Sequence, residues 1–101
     1  MTPAFRRVLI KGPSMVPTLY DGDIVLVRWG GEIRPDDIAL VRWASRPDQL
    51  SVKRVSHPVD QEHWFVTSDN PHGSTDSKDL GPAEAVARVV ARLWPRPKLI
   101  P

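Results

Sequence analysis

The sequence predicts an all-β protein, short antiparallel strands forming a partly closed barrel or sandwich, and three observations carry that reading. Six short runs are rich in Val, Ile, Leu or Trp: Phe5 to Lys11, Asp23 to Trp29, Ile38 to Trp43, Ser51 to His57, Trp64 to Ser68 and Ala87 to Trp94. Turn chemistry separates most of them, in Asp21-Gly22-Asp23, Gly30-Gly31, Arg34-Pro35-Asp36-Asp37 and Arg46-Pro47-Asp48. Eleven prolines spread along the chain work against long helices, because proline removes a backbone donor and clashes with the preceding turn.

The elements follow in order. The first apolar run leads into Gly12-Pro13-Ser14-Met15-Val16-Pro17-Thr18-Leu19, where a helical turn fits near Met15 to Tyr20. Strand-like runs then continue to Ser68, and the polar stretch from Ser68 to Gly81 is the longest insertion. A second short helix fits around Pro82 to Ala85, ahead of the last strand. Residues 95–101, closing with Pro97-Lys98-Leu99-Ile100-Pro101, read as an extended, loose tail. At 101 residues the chain is expected to form one domain over 1–101, its core spanning about 5–94.

Composition excludes several functions. Charged residues at 26% and hydrophobic ones at 41% fit a globular protein rather than a disordered one. A formal charge of +2 is too small a basic excess to argue for nucleic acid. Without cysteine there is no disulfide framework, thiolate nucleophile or cysteine zinc site. The densest apolar runs, such as Ile24-Val25-Leu26-Val27, are far short of the roughly 20 residues a membrane helix needs. Nor does Arg6-Arg7 followed by Val8-Leu9-Ile10 read as a signal peptide. The expectation is a soluble cytoplasmic protein, with peripheral membrane association or a separate upstream anchor left open.

Ser14 is the first chemical candidate. Pro13 and Pro17 stiffen the backbone around it, so its hydroxyl is presented from a rigid turn with its own amide available to an oxyanion. The plain alternative is a turn serine. Lys53, in Ser51-Val52-Lys53-Arg54-Val55, is the second. In water a lysine has a pKa near 10.4 and only roughly one molecule in a thousand is neutral near neutral pH. Burial among Val52, Val55 and their neighbours would penalise the ammonium and make the amine a usable base. The alternative is a lysine on the solvent face of its strand. In the third segment, Ser68 to Pro82, Asp76 with Lys78 can form an ion pair and the Ser74 hydroxyl can hold a neutral amine in orientation. Serine and lysine together suit peptide-bond hydrolysis in which lysine replaces histidine as the base.

Three segments now carry a resemblance. Ser14-Met15-x-Pro17-Thr18-Leu19-x-x-Gly22-Asp23, Val52-Lys53-Arg54-Val55, and Asp69-Asn70 through Ser74-x-Asp76-Ser77-x-x-x-Gly81 resemble, in order, the boxes of the signal peptidase I family of serine/lysine endopeptidases. The likeness runs from about Val8 to Val90, and without anchors or large insertions it is most similar to the short nickel-type superoxide dismutase maturation proteases. The resemblance implies a mainly β signal-peptidase fold, Ser14 as nucleophile, Lys53 as general base, Ser74 orienting Lys53 and Asp76 supporting the loop. It further implies removal of an N-terminal leader from a precursor protein, that dismutase being the substrate the nearest family likeness suggests, with no metal or cofactor of the enzyme's own. Gly12 stands where many relatives carry a hydroxyl that adds to the oxyanion hole, and Lys78 where an arginine is usual. Substrate is expected to lie extended along a strand edge beside Met15 or the segment before Lys53, with Met15 and Pro17 as substrate-binding residues.

Three rivals stand beside this. A Ser-His-Asp triad would use Ser14, His57 or His72, and an aspartate, but His57, His63 and His72 fall in or beside turns and read as surface residues. They also lack the close helical spacing of a zinc protease. A LexA-like regulatory peptidase shares the serine and lysine boxes, but no Ala-Gly cleavage site precedes Ser14. An inactive peptide-binding β-domain would use Trp29, Trp43, Trp64 and Trp94 as a surface, where packing is the plainer reading, and Arg88, Arg92, Arg96 and Lys98 as a basic edge.

Overall fold

The computed structural model describes residues 4–72 and 77–101. Seven strands form one antiparallel sheet: β1 (Ala4–Leu9), β2 (Ile24–Trp29), β3 (Ile38–Arg42), β4 (Ser51–Pro58), β5 (His63–Thr67), β6 (Ala83–Trp94) and β7 (Lys98–Leu99). The order is β1-β2-β6-β3-β4-β5, and a further pairing of β5 with β6 closes β3, β4, β5 and β6 into a ring. The predicted partly closed all-β architecture is therefore the observed one.

The long strand β6 makes this possible. Its first half pairs with β3 and β5, its second half with β2 and β7, and register shifts at Leu40/Val41 and Leu26/Val27 let it bend between the two. The bend divides the core. Ala39, Val41, Trp43, Val55, Val66 and Ala83 fill the ring, while Met15, Leu19, Val25, Val27, Leu40 and Val89 belong to a second cluster beneath β1 and β2. β3 serves both clusters from opposite faces, and so is buried along Ile38–Val41 without alternation.

Two local expectations are corrected. The only helix among the described residues is the single turn α1 (Ser77–Leu80), while Ala83–Ala85 begin β6: antiparallel pairing to β3 and β5 captures them once Gly81, at φ +80°, has ended α1. The C-terminal segment is held rather than loose, because β7 pairs with Ala91 and Arg92 and Ile100 is buried in the second cluster. Trp43 is core, Trp29 and Trp64 are half-buried, and Trp94 is 58% exposed, which departs from packing as the common fate of the four. Among the described residues no helix is long and apolar enough to cross a membrane.

Candidate functional site

The serine turn is shaped by its sequence. After β1, Ile10 buries its side chain and exchanges backbone hydrogen bonds with Gly22 and Asp23, so the segment between leaves and returns at one place. Gly12 takes φ +82°, a left-handed conformation that costs a side chain about 1–2 kcal/mol. Its N–H donates to Asp21 Oδ1 at 2.7 Å. Gly12 thus contributes its backbone freedom, and its amide is engaged with Asp21. The following turn is closed by Val16 N–H to Pro13 O and Leu19 N–H to Met15 O, and Met15 and Leu19 bury their side chains beneath it. Ser14 is left half-buried, its amide N–H without an acceptor among the described residues.

Lys53 arrives from the other side. It shares a face of β4 with buried Val55, and only 5% of it is exposed. The register Arg54↔Thr67 and Val55↔Val66, continued one step, sets Ser68 opposite Lys53. There the Lys53 Nζ donates to Ser68 Oγ at 3.0 Å. Ser14 and Lys53 line a single cleft of about 610 Å³, bounded by β1 and by the segment leading into β4. They make no direct hydrogen bond to each other.

The loop after β5 ties the two sides together. Asn70 N–H donates to Ser14 O at 2.9 Å, and its side-chain amide donates to Pro13 O at 3.0 Å. Asp69 accepts from Arg54 through both carboxylate oxygens and also from the Thr18 hydroxyl. One carboxylate thereby bridges the residue next to Lys53 and the far end of the serine turn. Burial alone would raise the Asp69 carboxyl, but the hydrogen bonds from Arg54 and Thr18 outweigh it and hold it below its ordinary value. The same pair raises Arg54, chiefly through its hydrogen bond to Asp69. Ser77 anchors the loop's far end, its buried hydroxyl accepting from Val66 N–H at 2.8 Å.

The other expected residues divide. Met15 is a core side chain that reaches the cleft floor, whereas Pro17 lies outside this cleft, on a second concavity with Tyr20, Arg92 and Arg96. Ser74 and Asp76 lie outside the described residues. His57 stacks on Phe65 at 5.2 Å and His63 pairs with Asp60, both away from Ser14. Ser68, Arg54, Thr18 and the clamp through Asp69 and Asn70 were not assigned roles from sequence. The pairing register of two adjacent strands could have found Ser68. Among the described residues no group of three His, Asp or Glu could hold a metal ion.

A mainly β sheet that brings a serine turn and a buried lysine to one cleft suits a peptidase, and the comparisons with known proteins agree. Residues 5–90 match the family described as Peptidase S24-like, and the chain belongs to that family. Among individual proteins it is similar to the mitochondrial ATP-independent inner membrane protease subunit 1a of Arabidopsis thaliana, at 30% identity over 85% of this chain and 68% of that protein. It is likewise similar to mitochondrial inner membrane protease subunit 1 of Homo sapiens, at 31% over 87% of this chain and 69% of that protein. Subunit 2 of Schizosaccharomyces pombe is 27% identical over 85% of this chain and 63% of that protein. The peptidase expectation is met at this level. The names of these relatives lend no support to the dismutase link.

Proposed function

We propose that the chain is a serine endopeptidase that uses Ser14 and Lys53 as a dyad to remove an N-terminal leader from a precursor protein. The observation that carries this reading is the burial of Lys53 at the edge of the cleft that Ser14 also lines. The reaction needs the neutral amine, the form that burial of an ammonium works toward, and the amine is held at the cleft by donating to Ser68 Oγ.

In the proposed reaction Lys53 Nζ takes the Ser14 hydroxyl proton, directly or through one water, as Oγ attacks the scissile carbonyl. The Ser14 amide donates to the oxyanion that forms. Collapse breaks the C–N bond, and Lys53 delivers the proton to the leaving amine. Water then attacks the acyl-enzyme while Lys53 accepts its proton, and the ester breaks to give a carboxylate and restored Ser14. Substrate would pair by main-chain hydrogen bonds with the free edge of β1, whose only strand partner among the described residues is β2.

The loop pattern from Asp69 to Ser77 makes a nickel-type superoxide dismutase precursor the first substrate to try. Intact-mass analysis of that precursor, incubated with the protein and with its Ser14→Ala and Lys53→Ala variants, tests the reading. Cleavage at one leader junction by the parent alone is expected. Equal cleavage by either folded variant overturns the dyad, and no cleavage by the parent removes this substrate.

A further inference from the structure

The charge of the cleft departs from that of the chain. Overall, 14 basic residues face 12 acidic ones, yet among the described residues the cleft is lined by Arg6, Arg7, Lys11, Arg46 and Lys53 and by no Asp or Glu. Elsewhere four arginines pair with carboxylates, Arg34 with Glu32, Arg42 with Glu84, Arg54 with Asp69 and Arg92 with Asp23, while Arg28, Arg88 and Arg96 have no such pair among the described residues. Among the described residues no carboxylate pairs with Arg6, Arg7, Lys11 or Arg46, all of them exposed. Asp21, which accepts from the neighbouring Gly12 amide, is not part of the lining. Arg6 lies over the Trp29 ring with its guanidinium carbon 5.6 Å from the ring centroid, a contact that orients the cation.

We propose that this cleft takes an acidic peptide segment, with Asp or Glu side chains of the bound strand received by Arg6, Arg7, Lys11 and Arg46. This deepens the peptidase reading and rests on it for the bound strand's position. The free edge of β1 supplies main-chain pairing, and cations on both walls meet side chains that an extended peptide projects to alternate sides. Unpaired like charges around a concave site also raise the encounter rate with an oppositely charged ligand. A bilayer is the other anionic partner, but a flat headgroup surface cannot enter a concavity with Ser14 and Lys53 on its walls.

The test uses the full chain carrying Ser14→Ala, so that binding is read without turnover. Fluorescence anisotropy is measured with labelled peptides of equal length that differ only in a central run of four residues, all Glu in one, all Gln in the second and all Lys in the third, so that the charges project to both sides of the bound strand. The Glu peptide is expected to bind about tenfold more tightly than the Gln peptide, with the preference shrinking as salt rises. Arg7→Glu with Arg46→Glu removes the preference, while Arg96→Glu with Lys98→Glu, the same charge change outside the cleft, retains it. Should the first pair fail to melt cooperatively, Arg7→Gln with Arg46→Gln replaces it with the same expectation. Equal affinity for Glu and Gln peptides, or equal loss in both charge-reversed pairs, overturns the proposal. So does capture by phosphatidylserine-containing vesicles that depends on Arg7 and Arg46 without any Glu-peptide preference. A Glu preference in a protein whose Ser14 form cleaves nothing would sink the peptidase reading and leave this inference standing.

Discussion

Lys53 stands on a strand with neighbours on both sides, inside a ring of β3, β4, β5 and β6 filled by Val41, Val55 and Val66, whereas Ser14 stands on a turn with no strand neighbour. The ring fixes its residue by apolar packing and sheet register. The turn is fixed by a positive-φ glycine, two buried side chains, a hydrogen bond donated by Thr18 to Asp69 and hydrogen bonds donated by Asn70. The two partners of the proposed dyad are thus positioned by different forces. Damage to the ring should appear as lost stability, and damage to the clamp as lost alignment.

Substitution of the lysine separates activity from stability most sharply. Lys53→Met keeps the length of the chain and removes a buried amine, so cleavage should fall by about 10⁴-fold or more while the melting temperature holds or rises. Kinetics and thermal melting on one preparation check both halves. A comparable fall in melting temperature would mean that Lys53 serves the ring rather than the reaction.

A matched pair of variants tests the division itself. Val55→Ala hollows the ring and should cost about 2 kcal/mol of stability with kcat/KM per folded molecule nearly unchanged. Asn70→Ala removes the hydrogen bond to Pro13 O and should cost only about 1 kcal/mol, yet lower kcat/KM roughly tenfold by freeing the serine turn. Urea titrations and initial rates give both quantities. Equal rate effects from the two would erase the distinction between the regions.

How much of this was readable beforehand follows the same line. Strand runs were legible because period and composition are local, and five of the six expected strands match observed ones to within a few residues. The start of β6 was misjudged, since Pro82 reads as a helix opener until pairing with β3 and β5 is known, and β7 was missed because its two residues are strand only by pairing with Ala91 and Arg92. Ser14 and Lys53 were marked by their boxes. The Asp69 bridge was not, because Thr18, Arg54 and Asp69 are joined across 51 and 15 positions by folding alone. Ser68 stood where a strand-like run gives way to the polar stretch, and its meaning lies in the strand opposite. The backbone demand at Gly12 was equally hidden, for the φ of +82° that favours glycine there is a property of the turn.

Gly12 offers the next smaller effect. A Cβ there meets nothing within 4 Å, so Gly12→Ala tests backbone conformation without a clash. The left-handed φ should cost about 1–2 kcal/mol, read by urea titration, and the strain should reach Ser14 as a modest loss of rate. Unchanged stability would show that the turn relaxes freely, and the serine side would then be softer than argued above.

The smallest effect is the pH dependence of the clamp, and its sign follows from the direction of the Asp69 shift. Because the folded carboxyl lies below its ordinary value of 3.8, the unfolded chain binds a proton first as pH falls. The clamp's contribution is therefore complete above about pH 4 and is lost as pH drops through the folded value. Arg54, raised from an already basic value, stays charged throughout and adds nothing to the slope. Asp69→Asn should be less stable than the parent at neutral pH, and the gap should close progressively below about pH 4, as urea midpoints at a series of pH values would record. A gap constant with pH would mean that the side-chain amide is missed for its shape alone. The bridge between the two regions would then owe its strength to geometry rather than to charge.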